Sequence, residues 1–251
     1  MSPALLLALA WLAAAPGEPA PTRFRAANEA ARQGDYPRAI AGYTELAASG
    51  AESASLYWNW SQAAASRGAT GESLWALLRA RELEPGDRAL GREIERVREG
   101  ANLDPAEIAP EPAAVLARAA RRFHLGALAL ALAAGSVLLH AAARRWPGRP
   151  LLPRLAVAAG VLALLAATAP LAGSLARPTG VVARRGAPLL DTASATAESV
   201  GVLREGEVVP ILEQSGGFLR VEDSSGARGW ARLEDVRRLD RPPQRPVSDP
   251  G

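Results

Sequence analysis

The chain has 251 residues, among them 29 arginines and neither lysine nor cysteine. The lack of cysteine excludes a disulfide framework, a thiol nucleophile and a cysteine-bound zinc site. Ten arginines and no acidic residue fall between Ala113 and Arg185, whereas both flanking segments are mildly acidic, so the basic charge belongs to one region and argues against nucleic acid as the partner.

The chain begins with an apolar run of twelve residues, Ala4 to Ala15, which the sequence PGEPAP follows. A run of this length is short for a membrane span and typical of the core of a signal peptide. We therefore predict that residues 1–20 form a signal peptide or an N-terminal hydrophobic anchor. The pattern does not decide whether this leader is cleaved.

Residues 21–100 are predicted to form pairs of antiparallel helices. Gly34 recurs 34 residues later as Gly68, and Pro85 follows Ala51 at the same distance. This pattern resembles tetratricopeptide repeats, whose helix-turn-helix unit has a 34-residue period. We expect a closing helix capped by Asp87 after four helices at about 21–33, 37–49, 53–67 and 71–83.

Four residues of this segment are candidates for binding a peptide: Asn28, Trp58, Asn59 and Gln62. The resemblance implies that Asn28 and Asn59 hold the backbone of an extended ligand, since a side-chain amide matches both N–H and C=O. Trp58 and Gln62 are expected on the concave face. The alternatives are a hydrogen bond between helices for the asparagines and packing against the neighbouring repeat for Trp58. Trp60 is predicted to lie in the core.

Two long apolar segments predict a transmembrane hairpin. Residues 123–143 and 155–176 carry no formal charge when histidine is neutral, and a helix of this length spans about 30 Å. Residues 144–154 contain four arginines and are predicted to be a cytoplasmic loop. Residues 101–122 are interpreted as a linker. Since the two ends of a hairpin share one side, both flanking units are predicted to be extracytoplasmic (periplasmic) at the inner membrane.

Residues 179–240 are predicted to form a small all-β unit. Turns containing glycine or serine separate the expected strands, which are Val200–Arg204, Glu207–Glu213, Phe218–Glu222 and Arg228–Ala231. With Gly229-Trp230-Ala231 and Phe218-Leu219-Arg220-Val221, the segment resembles bacterial SH3 domains. The resemblance implies that Phe218 and Trp230 are candidates for the binding surface. The alternative places Trp230 in the barrel core and Phe218 over an edge. The proline-rich tail, residues 241–251, is predicted to be disordered.

The predicted fold class is a multidomain membrane protein with all-α tetratricopeptide helix pairs, a two-helix transmembrane hairpin and an all-β SH3-like barrel. This order resembles the BatE group of Bacteroides aerotolerance proteins. The resemblance implies a non-enzymatic membrane scaffold whose partners are von Willebrand factor A-domain membrane proteins and, indirectly, a MoxR-type AAA+ ATPase. The alternative is a cell-wall sensor or tether whose SH3 domain binds peptidoglycan. An accessory subunit of a wall hydrolase is a third hypothesis.

No motif predicts catalysis, a cofactor or a metal site. The sequence has neither a P-loop nor a G-x-S-x-G motif. His124 and His140 are the only histidines; they lie about 160° apart on a helix, so they cannot share a metal. Both fall in one apolar segment, and we therefore expect no histidine-assisted nucleophile.

Overall fold

The computed structural model describes residues 19–103, 116, 119–120, 122–174 and 177–243. The predicted leader, most of the predicted linker and the end of the predicted tail therefore lie outside the described residues. The helices within these ranges are α1 (Ala20–Arg32), α2 (Tyr36–Ala48), α3 (Ala54–Ser66), α4 (Thr70–Leu83), α5 (Arg88–Gly100), α6 (Leu125–Arg145) and α7 (Leu151–Ser174). The strands are β1 (Thr179–Val182), β2 (Ala187–Leu190), β3 (Ser199–Leu203), β4 (Val208–Ser215), β5 (Phe218–Glu222), β6 (Arg228–Arg232) and β7 (Val236–Arg238).

Helices α1 to α5 form a helical unit whose first four members begin and end within one residue of the prediction. Side-chain caps mark the starts of α2, α3 and α5. Ser53 accepts a hydrogen bond from the Leu56 amide at 3.1 Å, and Asp87 caps α5 through the Ala89 amide at 2.7 Å, as predicted. Helices α1 and α3 begin 34 residues apart, as do α2 and α4, so the two pairs repeat with the period of the sequence.

Four aromatic rings fill the centre of the helical unit; Tyr43 and Tyr57 stack on Trp60, and Trp75 meets Trp60 edge-on. Trp60 is fully buried, as predicted, and its ring centroid lies 5.0 Å from that of Trp75 and 5.9 Å from that of Tyr57. Tyr43 extends the stack, with 6.4 Å between its ring centroid and that of Trp60. Pairs at these separations stabilise a core by about 0.5–1.5 kcal/mol beyond their buried area.

The seven strands form an antiparallel sheet in the order β3-β2-β6-β5-β4-β1-β7. Every strand contributes at least one side chain to a single apolar core, and we call this part the β unit. The four predicted strands are present: Phe218–Glu222 has the predicted bounds, and the bounds of the other three differ by at most two residues. The sequence analysis missed β1, β2 and β7, which have only three or four residues each and are too short for alternation to stand out.

Helices α6 and α7 form an antiparallel hairpin, and both are long and apolar enough to cross a membrane. The predicted loop over residues 144–154 is wrong at both ends, because α6 continues to Arg145 and α7 begins at Leu151. Arg144 and Arg154 thus belong to helices. The physical reason is that arginine is a good helix former and that its long side chain lets its charge lie beyond the apolar segment.

Small residues line the contact between α6 and α7. Ala156 and Ala163 are buried, and a Cβ added at Gly160 would lie 3.2 Å from the Ser136 hydroxyl. That hydroxyl donates to the carbonyl of Ala156 at 2.7 Å. The large apolar side chains point away instead, such as Leu130, which is 74% exposed. Small residues inside and large ones outside are typical of helices that pack in lipid.

The helical unit and the β unit pack directly against each other, which the sequence analysis did not predict. Val181 of β1 belongs to the core of the helical unit. The amide of Gly71, in the first turn of α4, donates to the Glu205 carboxylate at 3.0 Å, where a helix N-terminus favours negative charge. The Arg204 guanidinium donates to the carbonyl of Asn102 at 2.8 Å. The two units are therefore joined by apolar and polar contacts, although the hairpin separates them in sequence.

Gly71→Ala is predicted to separate the two units. A Cβ at this position would lie 2.2 Å from the carbonyl oxygen of Val182 and 2.9 Å from the Cα of Ala183; both are backbone atoms, so the units must move apart. We expect a loss of about 1–3 kcal/mol in the free energy of unfolding and faster hydrogen exchange in α4 and β1. Both can be measured on the full chain in detergent.

Gly91→Ala is the matched control. Gly91 also lies within a helix, but a Cβ added there would meet no atom within 4 Å. Since alanine favours a helix over glycine by about 1 kcal/mol, this variant should be as stable as the parent or more so. Equal exchange rates in the parent and in Gly71→Ala would show that the close approach is not needed for docking.

Candidate functional site

Helix α4 presents one polar and aromatic face to the end of the β unit. Glu72, Trp75 and Arg79 are spaced by three and four residues, so they lie on the same side of the helix. All three are buried, and each contacts the segment formed by β7 and the residue after it. We call this set of contacts the docking cluster.

Arg237 is the centre of the docking cluster. Its guanidinium lies 2.8 Å from the Glu72 carboxylate, 5.4 Å from the centroid of the Trp60 ring and 5.0 Å from that of Trp75. The indole N–H of Trp60 donates to the same carboxylate at 3.0 Å. A buried ion pair contributes to stability only when further hydrogen bonds satisfy both partners, and a cation over an aromatic face adds about 0.5–2 kcal/mol.

Two side chains of α4 bind the backbone at the edge of the sheet. The Trp75 indole donates to the carbonyl of Arg238 at 2.8 Å, and the Arg79 guanidinium donates to the carbonyl of Leu239 at 2.6 Å. Strand β7 is at the end of the strand order. The carbonyls of Arg238, in β7, and of Leu239, just after it, are thus occupied by the helical unit, which hinders this end of the edge strand from pairing with another chain.

Arg79 also joins a buried network inside the helical unit. It forms an ion pair with Glu52 and lies over the ring of Tyr57, 5.5 Å from its centroid. Burial alone would lower the pKa of Arg79, but hydrogen bonds with Glu52 and Tyr57 outweigh it, and the pKa is raised. Burial, together with the hydrogen bond to Glu52, raises the pKa of Tyr57 far above its ordinary value. The network therefore stays charged at Arg79 and protonated at Tyr57 over the physiological range.

The two candidate asparagines contact each other. The Asn59 amide donates to the Asn28 side-chain oxygen at 3.0 Å, and the Tyr43 hydroxyl donates to the same oxygen at 2.8 Å. The hydrogen bond between helices, which was the alternative for this pair, is therefore present. Among the described residues, neither the Asn28 amino group nor the Asn59 oxygen has a hydrogen-bond partner, so one donor and one acceptor are left for a ligand backbone.

The other two helical candidates flank this pair. Trp58 is partly buried and packs against the core of the helical unit, as its structural alternative proposed. Gln62 is exposed, and its amide lies 3.5 Å from the Glu93 carboxylate. Three of the four candidates therefore line one side of the helical unit in polar pairs, while Trp58 contributes mainly to packing.

Phe218 and Trp230 lie on the outer face of the β unit. Their neighbours Leu219 and Ala231 are buried in the core, and side chains alternate along a strand. Arg220 pairs with Trp230, and Phe218 pairs with Arg232. Trp230 is half-buried and does not belong to the apolar core, so the alternative that placed it there is wrong. The physical reason is the neighbouring Gly229. Its position faces inward, where a Cβ would lie 2.6 Å from Leu189, so no side chain fits there and Trp230 faces outward.

A groove of about 820 Å³ runs between α4 and the β unit, and we call it the interdomain groove. Trp75 forms its wall on the helical side, and Phe218 forms its wall on the β side. Arg232, Arg241 and the Pro242-Pro243 pair also line it. Its volume falls within the range of sites that bind small ligands. Trp75 comes from the helical unit, and the other lining residues belong to the β unit and to the residues after it.

Comparisons of the chain with protein-family models, with curated proteins and with solved structures find no match.

The sequence analysis missed Glu72, Arg79 and Arg237, which hold the two units together. One signal was present, since Glu72, Trp75 and Arg79 fall at helical spacing on a helix that was predicted. Nothing in the sequence pairs this face with Arg237. Between Arg79, the last residue of the face, and Arg237 lie 157 residues, which include the α6–α7 hairpin.

Loss of stability at alkaline pH is predicted from the two buried tyrosines. Burial raises the pKa of Tyr43 to about 12 and raises that of Tyr57 as well. The folded protein therefore binds these protons more tightly than the unfolded chain. Their contribution is complete below pH 10 and declines from about pH 10 to pH 12, by up to about 1.4 kcal/mol per pH unit for each tyrosine. Denaturant unfolding between pH 8 and pH 12 measures it.

Removing the hydroxyl groups provides the control for this prediction. Tyr43→Phe and Tyr57→Phe each delete one titrating group, so each should reduce the decline above pH 10, and the double variant should reduce it most. An alkaline decline of unchanged steepness in the double variant would assign the effect to other groups.

Proposed function

We propose that this chain is a non-enzymatic, membrane-anchored scaffold that binds partner proteins through its two docked units. The observation that carries the proposal is the docking cluster: Arg237 of the β unit lies over the rings of Trp60 and Trp75 and pairs with Glu72. This contact joins the units that precede and follow the hairpin. It supports a single rigid platform held on one side of the membrane by α6 and α7.

The identity of the two units belongs to the same proposal. The 34-residue spacing of the helix pairs supports tetratricopeptide repeats, and the short antiparallel strands around one core support a bacterial SH3 barrel. The order of these parts supports the resemblance to the BatE group. The partners proposed on that basis are a von Willebrand factor A-domain membrane protein and, through it, a MoxR-type AAA+ ATPase.

The proposed contact surface for the partner is the side of α1 and α3 that carries Asn28, Asn59 and Gln62. It lies away from the docking cluster, whose residues on the helical unit come from α4 and the core. The open donor of Asn28 and acceptor of Asn59 suit the alternating N–H and C=O groups of an extended peptide. The proposal does not involve a cofactor.

Single-cysteine labelling is predicted to place both units on the outer side of the inner membrane. Because the chain has no cysteine, each introduced thiol is a unique reporter. Ser66→Cys in the helical unit and Ser224→Cys in the β unit should react with a membrane-impermeant maleimide in spheroplasts. Gly148→Cys, in the connection between α6 and α7, should react only after permeabilisation.

Each position serves as a control for the other two, because all three residues are exposed and a difference in labelling reports on the side of the membrane. Labelling of Ser66→Cys and Ser224→Cys under opposite conditions would contradict the hairpin and the shared compartment together. Labelling of all three without permeabilisation would show that α6 and α7 do not cross the membrane.

Partner binding is predicted to depend on Asn59 and Gln62. We expect a von Willebrand factor A-domain protein encoded beside this gene to bind the full chain in lipid nanodiscs. Asn59→Ala combined with Gln62→Ala should weaken this binding about tenfold or more, the loss of one or two interface hydrogen bonds. Gln33→Ala, which removes an exposed amide at the end of α1, should leave the binding unchanged. Equal affinity of parent and double variant would contradict the assigned surface.

The wall-tether hypothesis remains the second candidate, because Trp230 is half-buried on the outer face of the β unit instead of in its core. Its test is sedimentation of the full chain with purified peptidoglycan. Co-sedimentation that Trp230→Ala abolishes would favour the tether, whereas a chain that stays in solution and binds the von Willebrand domain would favour the scaffold.

A further inference from the structure

We propose that the interdomain groove binds an acidic, extended segment of a partner protein. The inference rests on the proposed scaffold function and adds a second contact surface to it, of different chemistry from the asparagine pair. Its accessible apolar wall is the ring of Phe218, the buried Trp75 closes it on the helical side, and four arginines line it against a single acid, Glu234. Such a lining combines a place for an apolar side chain with a place for carboxylates.

Two of the four arginines are already occupied by the fold. Arg237 is held by Glu72 and by the two indole rings. Arg238 donates to both oxygens of Asp240, at 2.8 and 2.7 Å, and to Gln214 at 3.0 Å. Burial alone would raise the pKa of Asp240, but the bonds from Arg238 outweigh it and hold the pKa below its usual value. These arginines shape the groove and are not available to a ligand.

Arg232 and Arg241 have guanidinium groups that a ligand can reach. Their side chains are 41% and 45% exposed. Each has one carboxylate in loose contact, Glu234 at 3.7 Å from Arg232 and Asp240 at 3.9 Å from Arg241. Among the described residues, neither guanidinium makes a side-chain hydrogen bond. A planar guanidinium prefers two parallel hydrogen bonds to a carboxylate, and a ligand carboxylate can supply them here.

The ring of Phe218 decides which anionic ligand fits. Phe218 is half-buried and offers an apolar surface that matches a bulky side chain such as leucine and stabilises it through buried apolar area, whereas Trp75 is 1% exposed and only closes the groove on the helical side. A peptidoglycan stem peptide also carries carboxylates, but it consists of alanine, glutamate and a diamino acid and has no bulky apolar side chain. Pro242 and Pro243 add a wall without N–H groups. A protein segment that alternates acidic and large apolar residues is therefore the occupant we infer.

The groove belongs to neither unit alone. Trp75 comes from α4, whereas Phe218, Arg232 and Arg241 come from the β unit and the residues after it. The contacts of Trp75 and Arg79 with the backbone of residues 238 and 239 bring these parts together. Binding at the groove therefore requires the docked arrangement, and a ligand there should in turn stabilise the docking.

The test uses fluorescein-labelled peptides and the full chain in lipid nanodiscs, with fluorescence anisotropy as the measurement. One probe is a hexapeptide that alternates glutamate and leucine, and its neutral match alternates glutamine and leucine. A synthetic peptidoglycan stem peptide is the third probe. We expect the acidic hexapeptide to bind at least about tenfold more tightly than either of the others, as charge-assisted hydrogen bonds to two arginines allow.

The variants separate the groove from general charge attraction. Arg232→Ala combined with Arg241→Ala should weaken binding of the acidic hexapeptide about tenfold or more, and Phe218→Ala should weaken it as well. Arg220→Ala is the matched control, because Arg220 has 46% side-chain exposure and a single carboxylate, Glu213, at 3.7 Å. It should leave the affinity unchanged. The thermal midpoint of each variant, measured in parallel, identifies a loss that is due to unfolding.

Four results would overturn the inference: equal binding of the acidic and neutral hexapeptides, tighter binding of the stem peptide, full affinity in the double arginine variant, or an equal loss in Arg220→Ala. The proposed function is tested separately, by measuring how tightly the von Willebrand factor A-domain protein binds the parent chain and the double variant with Asn59→Ala and Gln62→Ala. If that binding persists while the hexapeptide fails, only the groove is lost. If neither binds, the scaffold proposal falls with it.

Discussion

The contact of Arg237 with Glu72, Trp60 and Trp75 is the interaction on which the arrangement of this protein depends. The Arg237 side chain is 30% exposed, and a partly buried arginine costs free energy unless a carboxylate neutralises it and further groups satisfy its hydrogen-bonding capacity. Here Glu72 lies 2.8 Å away, two indole rings face the guanidinium, and the Trp60 N–H binds the same carboxylate. The positive charge of Arg237 in the β unit is thus neutralised by Glu72 and contacted by two aromatic rings, all from the helical unit. Each unit supplies what the other would otherwise leave unsatisfied.

This contact constrains the α6–α7 hairpin as well. Since the two units touch, α6 must leave the helical unit and α7 must return to the β unit on the same side of whatever the hairpin crosses. The hairpin itself has large side chains outside and alanine, glycine and serine at its contact, with the Ser136 hydroxyl bonded to the carbonyl of Ala156. Small residues let the two backbones approach closely, which is how apolar helices gain contact when the solvent is equally apolar. The docked units and the hairpin are therefore consistent with one anchored body.

The docking also bears on how the two proposed binding surfaces are arranged. The asparagine pair joins α1 and α3, whereas the interdomain groove is lined by Trp75 of α4 and by residues of the β unit and of the segment after it. Gly71 shows how close the approach is, since any side chain at that position would meet the backbone of residues 182 and 183. A platform with little freedom between its parts holds two surfaces at a fixed separation, and it does not lose conformational entropy in bringing them together when a partner binds.

Local signals explain which elements the sequence predicts well. The repeat helices were placed to within one residue, because capping residues and turn glycines mark their ends within a few positions of each. The shift in the hairpin loop has the opposite cause: charge alone does not end a helix, and no cap or glycine marks Arg144 or Arg145. Strands β1, β2 and β7 are too short to show alternation, and their partners lie far along the chain. Sequence patterns were enough to name the candidate residues Asn28, Asn59, Gln62 and Phe218. They were not enough to place Trp230 on the outer face, because that placement depends on the contact of Gly229 with Leu189.

By itself, the sequence determined the order of the parts: repeat helices, a pair of apolar helices and a small β unit, each written in periodicity, capping and composition. Only the tertiary structure decided that the helical and β units are joined, that Glu72 and Arg79 serve this joint, and that a groove opens between Trp75 and Phe218. The physical reason is the distance along the chain over which each kind of interaction acts. Helix and strand preferences act over a few residues, but the pairing of Arg237 with Glu72 depends on the folded positions of two segments that the α6–α7 hairpin separates in sequence.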